Sequence, residues 1–369
     1  METVTRIKSL QKLAEFKVAW EGLLMASGSD HLFLSWEWIF TWCKYRSQEK
    51  DRFLLVVTEG DLLVAIAPFV ASQRSLSRMK LCNTLNFMGT DVIGSDYMDI
   101  LIREGAEASA VKAISRYLHS NGMSLELSHL CSEQSNAILL VNSLAERRWN
   151  VVRSDMEVCP YIPLIGHSWE SYIRSLGSSH RANVKRKIRK LNAQFSVKFE
   201  TIIDDSRLVP VLNEMVMLHF KRHGDASVSD AFTEESVLSF HREIAQLQLA
   251  DSRLRIYRLE LDGVAVASLY GFLVSGKFYF YQSGFDPDYS QYSVGLIVLA
   301  YSIQESIKEG ASEYDLLHGN ERYKYLWANN ERVLERVFAF SPDAVGYVAG
   351  KALAIKHWIR NLAEGLKLL

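Results

Sequence analysis

The stretch from Arg253 to Trp327 restricts the fold more than any other part of the chain. Two turn signals, Asp262-Gly263 and Ser275-Gly276, divide its first half into three β-rich segments. A helix is predicted over 296–308, and a further short strand follows it. Strands joined by tight turns and followed by a helix and a strand predict an α/β (α+β) fold with a mostly antiparallel mixed sheet flanked by helices.

The predicted helix begins directly behind Ser293, Val294 and Gly295. The first N–H groups of a helix lack intrahelical partners, and together with the helix dipole they attract anions. A glycine lets a phosphate approach the backbone closely, and no acidic residue occurs from Tyr289 to Leu299. A single glycine before a helix is also typical of an ordinary turn, so the spacing leaves a phosphate site and a plain turn as alternatives.

The N-terminal half repeats this order of elements, although the two halves share little sequence. Strands are predicted over 53–58, 62–70, 96–102 and 124–128, and a helix over 105–119. Glu104 and Glu107 stand at the start of that helix, where carboxylates stabilise the dipole and repel a pyrophosphate. The first copy is therefore predicted not to bind a nucleotide-type donor.

Several short motifs occur between Arg181 and Trp327: Tyr279-Phe280-Tyr281, Gly284-Phe285-Asp286, Ser293-Val294-Gly295, Tyr314-Asp315, Gly319, Glu321 to Lys324, Trp327, Arg181 to Lys187, and His219 to Arg222. Together they resemble the core of the GNAT acyltransferases, and more closely the cellulose-biosynthesis (CelD/BcsL-type) branch, which is related to the FemAB-like transferases. The resemblance covers 165–340 well and the N-terminal half more loosely. The departure is at the turn, where GNAT proteins often carry Arg/Gln-x-x-Gly-x-Gly/Ala and this chain keeps only Gln291 and Gly295, at another spacing.

The resemblance implies two tandem GNAT-like domains. They are a degenerate N-terminal domain over 1–160 and an acyltransferase domain over 161–344, followed by an amphipathic tail over 345–369. The implied donor substrate is acetyl-CoA or another acyl-CoA, bound where the third meander strand splays from the next strand. By resemblance the donor contacts Tyr281, Gln282 and Ser283, and the helix turn of Ser293, Val294 and Gly295 binds its phosphates.

Acyl transfer to an amine or hydroxyl needs a base for the nucleophile and donors for the carbonyl oxygen. Asp315 and Glu321 are the candidate bases, and Tyr323 with Lys324 resembles a family motif whose lysine lies near the reacting carbonyl or a substrate phosphate. Glu321 and Lys324 stand three residues apart, so an ion pair is the alternative interpretation. The four are predicted to be catalytic.

Candidate acceptor-binding residues come from three places. Asp96 and Asp99 open the predicted strand 96–102, and their odd spacing puts them on opposite faces. His219 and Arg222 lie one helical turn apart, with a core or rim histidine as the alternative for His219. Arg181 begins a basic stretch to Lys190 with apolar residues at helical spacing, which is either a solvated helix face or a phosphate-facing surface.

Composition narrows the classes of partner. The chain has 369 residues and a net charge of −1, which gives no global attraction for nucleic acid or membranes. The four cysteines are widely spaced, so neither a disulfide framework nor a metal site is expected. With no signal peptide or long apolar run seen, a cytoplasmic location is the default.

The resulting hypothesis is an acyltransferase that moves an acyl group from acyl-CoA to a sugar or other small-molecule acceptor in cell-surface polysaccharide biosynthesis. The polysaccharide-synthesis machinery is a candidate partner. One alternative is a FemAB-like transfer from aminoacyl-tRNA, which the basic stretch from Arg181 allows; no DNA partner is expected. The other is a catalytically inactive GNAT-like module that binds a partner, which the Gly295 turn and the Tyr323-Lys324 motif disfavour.

Overall fold

The three strands of the predicted meander are present, and the turns between them have the conformation that their sequences require. In this computed structural model both residues of each turn have positive φ, 50° and 82° at Asp262 and Gly263, and 48° and 77° at Ser275 and Gly276. Such turns match the twist of antiparallel strands. The structure describes residues 2–29, 31–76, 79–131, 135–223, 232–343, 346–348 and 350–351.

The bounds of the elements are as follows. The strands are β1 (Glu2–Ile7), β2 (Arg52–Glu59), β3 (Leu62–Leu76), β4 (Met79–Phe87), β5 (Leu101–Ile102), β6 (Ser124–Cys131), β7 (Asn150–Pro163), β8 (Val197–Ile202), β9 (Leu254–Leu261), β10 (Val264–Val274), β11 (Lys277–Phe285), β12 (Glu313–Asp315) and β13 (Asn330–Phe340). The helices are α1 (Leu10–Glu15), α2 (Lys17–Ala26), α3 (Trp36–Arg46), α4 (Glu107–Ser120), α5 (Asn136–Glu146), α6 (Trp169–Ser175), α7 (Ser178–Gln194), α8 (Asp205–His223), α9 (Glu235–Ala250) and α10 (Val294–Lys308).

The chain divides into two compact units. The first comprises Met1–Met156 with Val333–Leu369, and the second comprises Glu157–Arg332. Residues 333–343 were predicted in the second domain, but they belong to the first unit because β13 pairs with β6 there. The predicted tail 345–369 lies outside the described residues apart from 346–348 and 350–351.

The second unit contains a mixed sheet in the order β7-β12-β11-β10-β9-β8, to which β7 contributes its C-terminal part. The pairs β8–β9, β9–β10 and β10–β11 are antiparallel, and β12 lies parallel to β11. Buried side chains of α10, among them Ile297 and Ile303, share a core with Tyr257 and Phe278 of the sheet. The predicted fold class, a mixed sheet flanked by helices, is confirmed.

The first unit has the same sequence of elements. Strands β2, β3 and β4 form an antiparallel meander, helix α4 follows, and β6 returns parallel to β4. The third meander strand is β4, over a stretch for which no strand was predicted. The strand predicted over 96–102 is reduced to Leu101–Ile102, because the chain before it is irregular and Tyr97 has a φ of 56°.

Within the described part of the chain, no helix is both long and apolar enough to cross a membrane.

Candidate active site

Strands β11 and β12 separate at one point in the second unit. Their parallel pairing covers only Lys277–Tyr279 and Glu313–Asp315, whereas β11 continues beside β10 to Phe285. A β-bulge at Tyr281 lies at this point, since the register with β10 shifts there. The edge of β11 beyond Tyr279 is thus released from β12, and we call this gap the strand opening. The splay that the resemblance implied is present.

A cavity of about 250 Å³ lies at the strand opening. The end of β11 lines it with Ser283 and Gly284, and the loop after β12 lines it with Tyr323 and Trp327. The first turn of α10 contributes a third wall, so we call this space the α10 cavity. Of the six predicted donor-binding residues, Ser283, Ser293, Val294 and Gly295 line it.

Helix α10 begins with unsatisfied donors in this cavity. Ser293 has a left-handed backbone (φ 59°) and makes no side-chain cap, and the bond from the Ile297 N–H to the Ser293 carbonyl (3.1 Å) starts the regular helical pattern. The N–H groups before Ile297 therefore lack an i−4 carbonyl. The first turn carries no acidic residue. This arrangement favours an anion.

Helix α8 is fixed against the free edge of β11. A Cβ on Gly284 would overlap the backbone nitrogen of His219, so only glycine permits this approach. The His219 ring is buried with Nδ1 3.3 Å from the Ser283 carbonyl oxygen, and Lys221 pairs with Asp286 at 2.7 Å. These contacts favour the alternative interpretation of His219 as a buried histidine, and acceptor binding by His219 stays a prediction.

Arg222 brings a positive charge to the α10 cavity. Its guanidinium donates to the Ser283 Oγ at 3.1 Å and lies over the Phe285 ring at 5.6 Å, and Tyr323 lines the same cavity. Among the described residues no carboxylate pairs with it. Burial, with the nearby Glu321 charge, raises the pKa of Tyr323 to about 12, so this phenol is protonated at neutral pH.

Asp315 is committed to contacts within the second unit. Its carboxylate is 1% exposed, accepts from the Leu317 N–H at 2.8 Å and lies 3.5 Å from Arg332. Arg332 itself is bonded to both oxygens of Glu313. These contacts hold the start of the loop after β12, and they favour a structural role for Asp315.

Lys324 is also engaged. Its side chain is buried, and the ammonium donates to the carbonyl oxygens of Leu317 (3.1 Å) and His318 (2.6 Å) and to Glu321 (3.1 Å). A lysine ammonium has three donors, so these contacts satisfy them. The ion pair considered from the sequence is present, and it leaves Glu321 with about half of its side chain exposed.

Tyr281 and Gln282 turn away from the α10 cavity. The Gln282 side chain accepts from the Ser283 N–H at 3.0 Å, which occupies one donor on the edge of β11. The Tyr281 phenol lies 3.4 Å from Nε2 of His241 on α9. Sequence reasoning did not select His241, because a lone histidine in an amphipathic helix carries no local signal.

The burial of His241 predicts that the free energy of unfolding depends on pH. Burial lowers its pKa from 6.5 to about 3, so the folded state keeps the ring neutral while the unfolded state binds a proton below about pH 6.5. Stability is thus fully present above pH 6.5 and is lost as pH falls towards 3, by about 1.4 kcal/mol per pH unit. His241→Phe should show a smaller loss of unfolding free energy between pH 7 and pH 5 than the wild type. Equal losses in the two proteins would contradict this assignment.

The remaining predicted residues lie apart from the α10 cavity. Arg181, in the first turns of α7, donates to the carbonyl of Arg174 at 2.9 Å. Asp99, in the first unit, accepts from the Ser135 hydroxyl and from the N–H groups of Asn136 and Ala137, which fixes the start of α5.

Asp96 is fully buried in the first unit, with Oδ1 4.0 Å from Nε2 of His129. The odd spacing of Asp96 and Asp99 predicts one structural carboxylate and one acceptor-binding carboxylate, with Asp96 as the acceptor-binding one. The contacts of Asp99 are those of a helix cap, which favours Asp99 as the structural carboxylate. Acceptor binding by Asp96 stays a prediction.

Residues 178–325 match the family described as acetyltransferase (GNAT) domain. This stretch is thus similar to a GNAT-fold acetyltransferase domain, and such domains generally use an acyl-CoA donor. A search of curated protein sequences finds no match.

Solved structures share the fold over most of the chain. FemX is similar with a TM-score of 0.58, 8% identity, and coverage of 91% of this chain and 96% of FemX. L-PGS from Bacillus licheniformis has a TM-score of 0.54 at 11% identity, covering 91% and 94%. A conserved protein of unknown function from Bacteroides thetaiotaomicron has a TM-score of 0.54 at 10% identity, covering 92% and 100%. At these identities the likeness concerns the fold alone.

Proposed function

We propose that the protein transfers an acyl group from an acyl-CoA, bound in the α10 cavity, to an amine or hydroxyl. The observation that carries this proposal is the acid-free, uncapped start of α10 within the cavity beside the strand opening. A thioester donor with a pyrophosphate fits these groups, since its phosphates are anions and its acyl arm is narrow. Arg222 adds a cation to the same cavity.

Each residue has a defined part in the proposed transfer. The nucleophile attacks the thioester carbonyl carbon, the C–S bond breaks, and the sulfur takes a proton. Tyr323 lines the cavity and is protonated at neutral pH, so it is our candidate donor of that proton. Glu321 is our candidate acceptor of the nucleophile's proton, because it stays half-exposed whereas Asp315 is buried against Arg332.

The acceptor and pathway are finer parts of the proposal. The resemblance to the CelD/BcsL-type branch supports a sugar or related amine in cell-surface polysaccharide biosynthesis. A second candidate, transfer from aminoacyl-tRNA, is favoured by the exposed cations of α7 and by the shared fold with FemX. Calorimetry with acetyl-CoA, longer acyl-CoAs and charged tRNA separates the two, because tRNA binding weakens steeply with salt.

Ser290 offers a direct test of the phosphate site. It is exposed and lines the α10 cavity just before the helix. Ser290→Asp should raise the Kd for CoA several-fold, since it adds a negative charge near the expected phosphates, while the neutral, similarly sized Ser290→Asn should bind as the wild type does. Equal affinities of the two variants at low salt would place the phosphates elsewhere.

A further inference from the structure

Helix α7 combines a buried stripe with a strongly basic remainder. Val184 and Leu191 are buried in the core of the second unit, and Ile188 packs against it. Six Lys and Arg residues lie between 181 and 190, and α7 contains no acidic residue. Lys185, Arg186, Arg189 and Lys190 are exposed.

These cations differ from most others of the second unit, which are neutralised. Arg255 is paired with Glu309, Arg258 with Glu214 and Arg332 with Glu313. On α7 the contacts are with neutral oxygens instead, from Arg181 to a carbonyl, from Arg186 to the Asn183 amide and from Lys187 to a carbonyl. Across the residues that the structure describes, no ion pair within 4.0 Å involves α7.

Part of this charge lies next to the start of α10. The Lys187 ammonium donates to the Gln291 carbonyl at 3.2 Å, and the Lys190 ammonium lies 5.4 Å from the centre of the Tyr292 ring. Gln291 and Tyr292 directly precede Ser293, so their Cα atoms lie within about 8 Å of it, at about 3.8 Å per residue. One face of α7 therefore borders the phosphate turn.

The α10 cavity is too small for a whole nucleotide-bearing donor. Its volume of about 250 Å³ is below the range of roughly 300–1,000 Å³ usual for sites of drug-sized ligands. A donor whose acyl arm enters the cavity leaves its nucleotide outside, beyond the turn at Ser293. The neighbouring surface with unneutralised charge is the Lys187 and Lys190 face of α7.

We propose that this face of α7 extends the donor site and binds the phosphate groups of the donor's nucleotide portion outside the cavity. The proposal rests on the proposed function and names a further part of the donor site. The chemistry recognised is a ribonucleotide phosphate ester, which either an acyl-CoA or an aminoacyl-tRNA supplies. Lysine ammonium groups bind such oxygens as mobile point charges.

The helix itself provides a matched control. At 100° per residue, Lys185 and Arg189 lie on the side of α7 roughly opposite to Lys187 and Lys190. The double variant Lys187→Gln/Lys190→Gln and the double variant Lys185→Gln/Arg189→Gln therefore remove the same charge from different faces. Circular dichroism and thermal unfolding of all three proteins check that α7 stays folded.

The measurement is Kd by calorimetry for CoA and charged tRNA, with KM for an acyl-CoA and for the matching acyl-pantetheine, which lacks the nucleotide. If CoA is the donor, the Lys187/Lys190 variant should bind it about tenfold more weakly, a loss typical of one charge-assisted contact. Its KM for acyl-pantetheine should equal that of the wild type, and the Lys185/Arg189 variant should change little. If tRNA is the donor, the Lys187/Lys190 variant should bind tRNA more weakly, and its tRNA affinity should depend less steeply on salt.

The outcomes separate this proposal from the proposed function. Weaker CoA binding by the Lys187/Lys190 variant without transfer by any protein supports the phosphate face and contradicts acyl transfer. Normal transfer with the same Kd and KM values in the wild type and both variants supports acyl transfer and overturns phosphate binding by the Lys187 and Lys190 face of α7. Equal losses in the two variants overturn it as well, since they report a general charge effect, and so does a wild type that binds neither CoA nor tRNA.

Discussion

Gly295→Asp is expected to weaken CoA binding by at least about tenfold, or about 1.4 kcal/mol. Gly295 lies in the first turn of α10, which has no acidic residue, and it lines the α10 cavity. A carboxylate there opposes the helix dipole's attraction for phosphate and occupies the same N–H groups. Calorimetry with CoA measures the loss, and thermal unfolding shows whether the fold is retained.

Gly295→Ala is the necessary control, because a Cβ at this position would lie 3.1 Å from the Phe285 ring. That contact is tight, so either substitution moves Phe285, which also lines the cavity. The difference between the Asp and Ala variants therefore reports the charge, and it should shrink as salt rises. If Ala and Asp weaken binding equally at low salt, the turn has a steric role and the phosphate assignment is wrong.

The meander was predictable because its information is local. Asp262-Gly263 and Ser275-Gly276 specify turns that only residues tolerating positive φ adopt readily, and they bound the strands on both sides. The acid-free helix start was also visible, since the absence of acidic residues from Tyr289 to Leu299 is a property of the sequence alone. These features needed no knowledge of the tertiary structure.

Features that depend on distant partners were missed or assigned differently. Strand β4 was overlooked and 96–102 was predicted in its place. In the structure, the chain at 96–100 docks through non-strand contacts such as that of Asp99 with α5. The contact of Arg222 with Tyr323 joins α8 to the loop after β12, and His241 meets Tyr281 across α9 and β11. No periodicity or spacing encodes such pairs.

Asp315 shows the same limit for catalytic residues. Its neighbours in sequence suggested a base at the end of a strand. Arg332, which determines its environment, belongs to another element and is already bonded to Glu313. The choice between a base and a structural carboxylate therefore depends on stability and turnover measured together.

We expect Asp315→Ala to lower the free energy of unfolding by about 2 kcal/mol, because it removes a buried, hydrogen-bonded carboxylate. It also removes the acceptor for the Leu317 N–H. Asp315→Asn keeps that acceptor, and Arg332 keeps Glu313, so its loss should be about 1 kcal/mol. Denaturant unfolding measures both values, and the Asn variant should keep kcat within a few-fold of the wild type.

Glu321→Gln should show the opposite behaviour. Glu321 is half-exposed and pairs with Lys324, which keeps two carbonyl acceptors without it. Loss of a general base lowers turnover by about 10² to 10⁴, so this variant should lose kcat at nearly unchanged stability. If Asp315→Asn abolishes turnover while Glu321→Gln does not, the proton acceptor is Asp315, and Arg332 then serves to orient it.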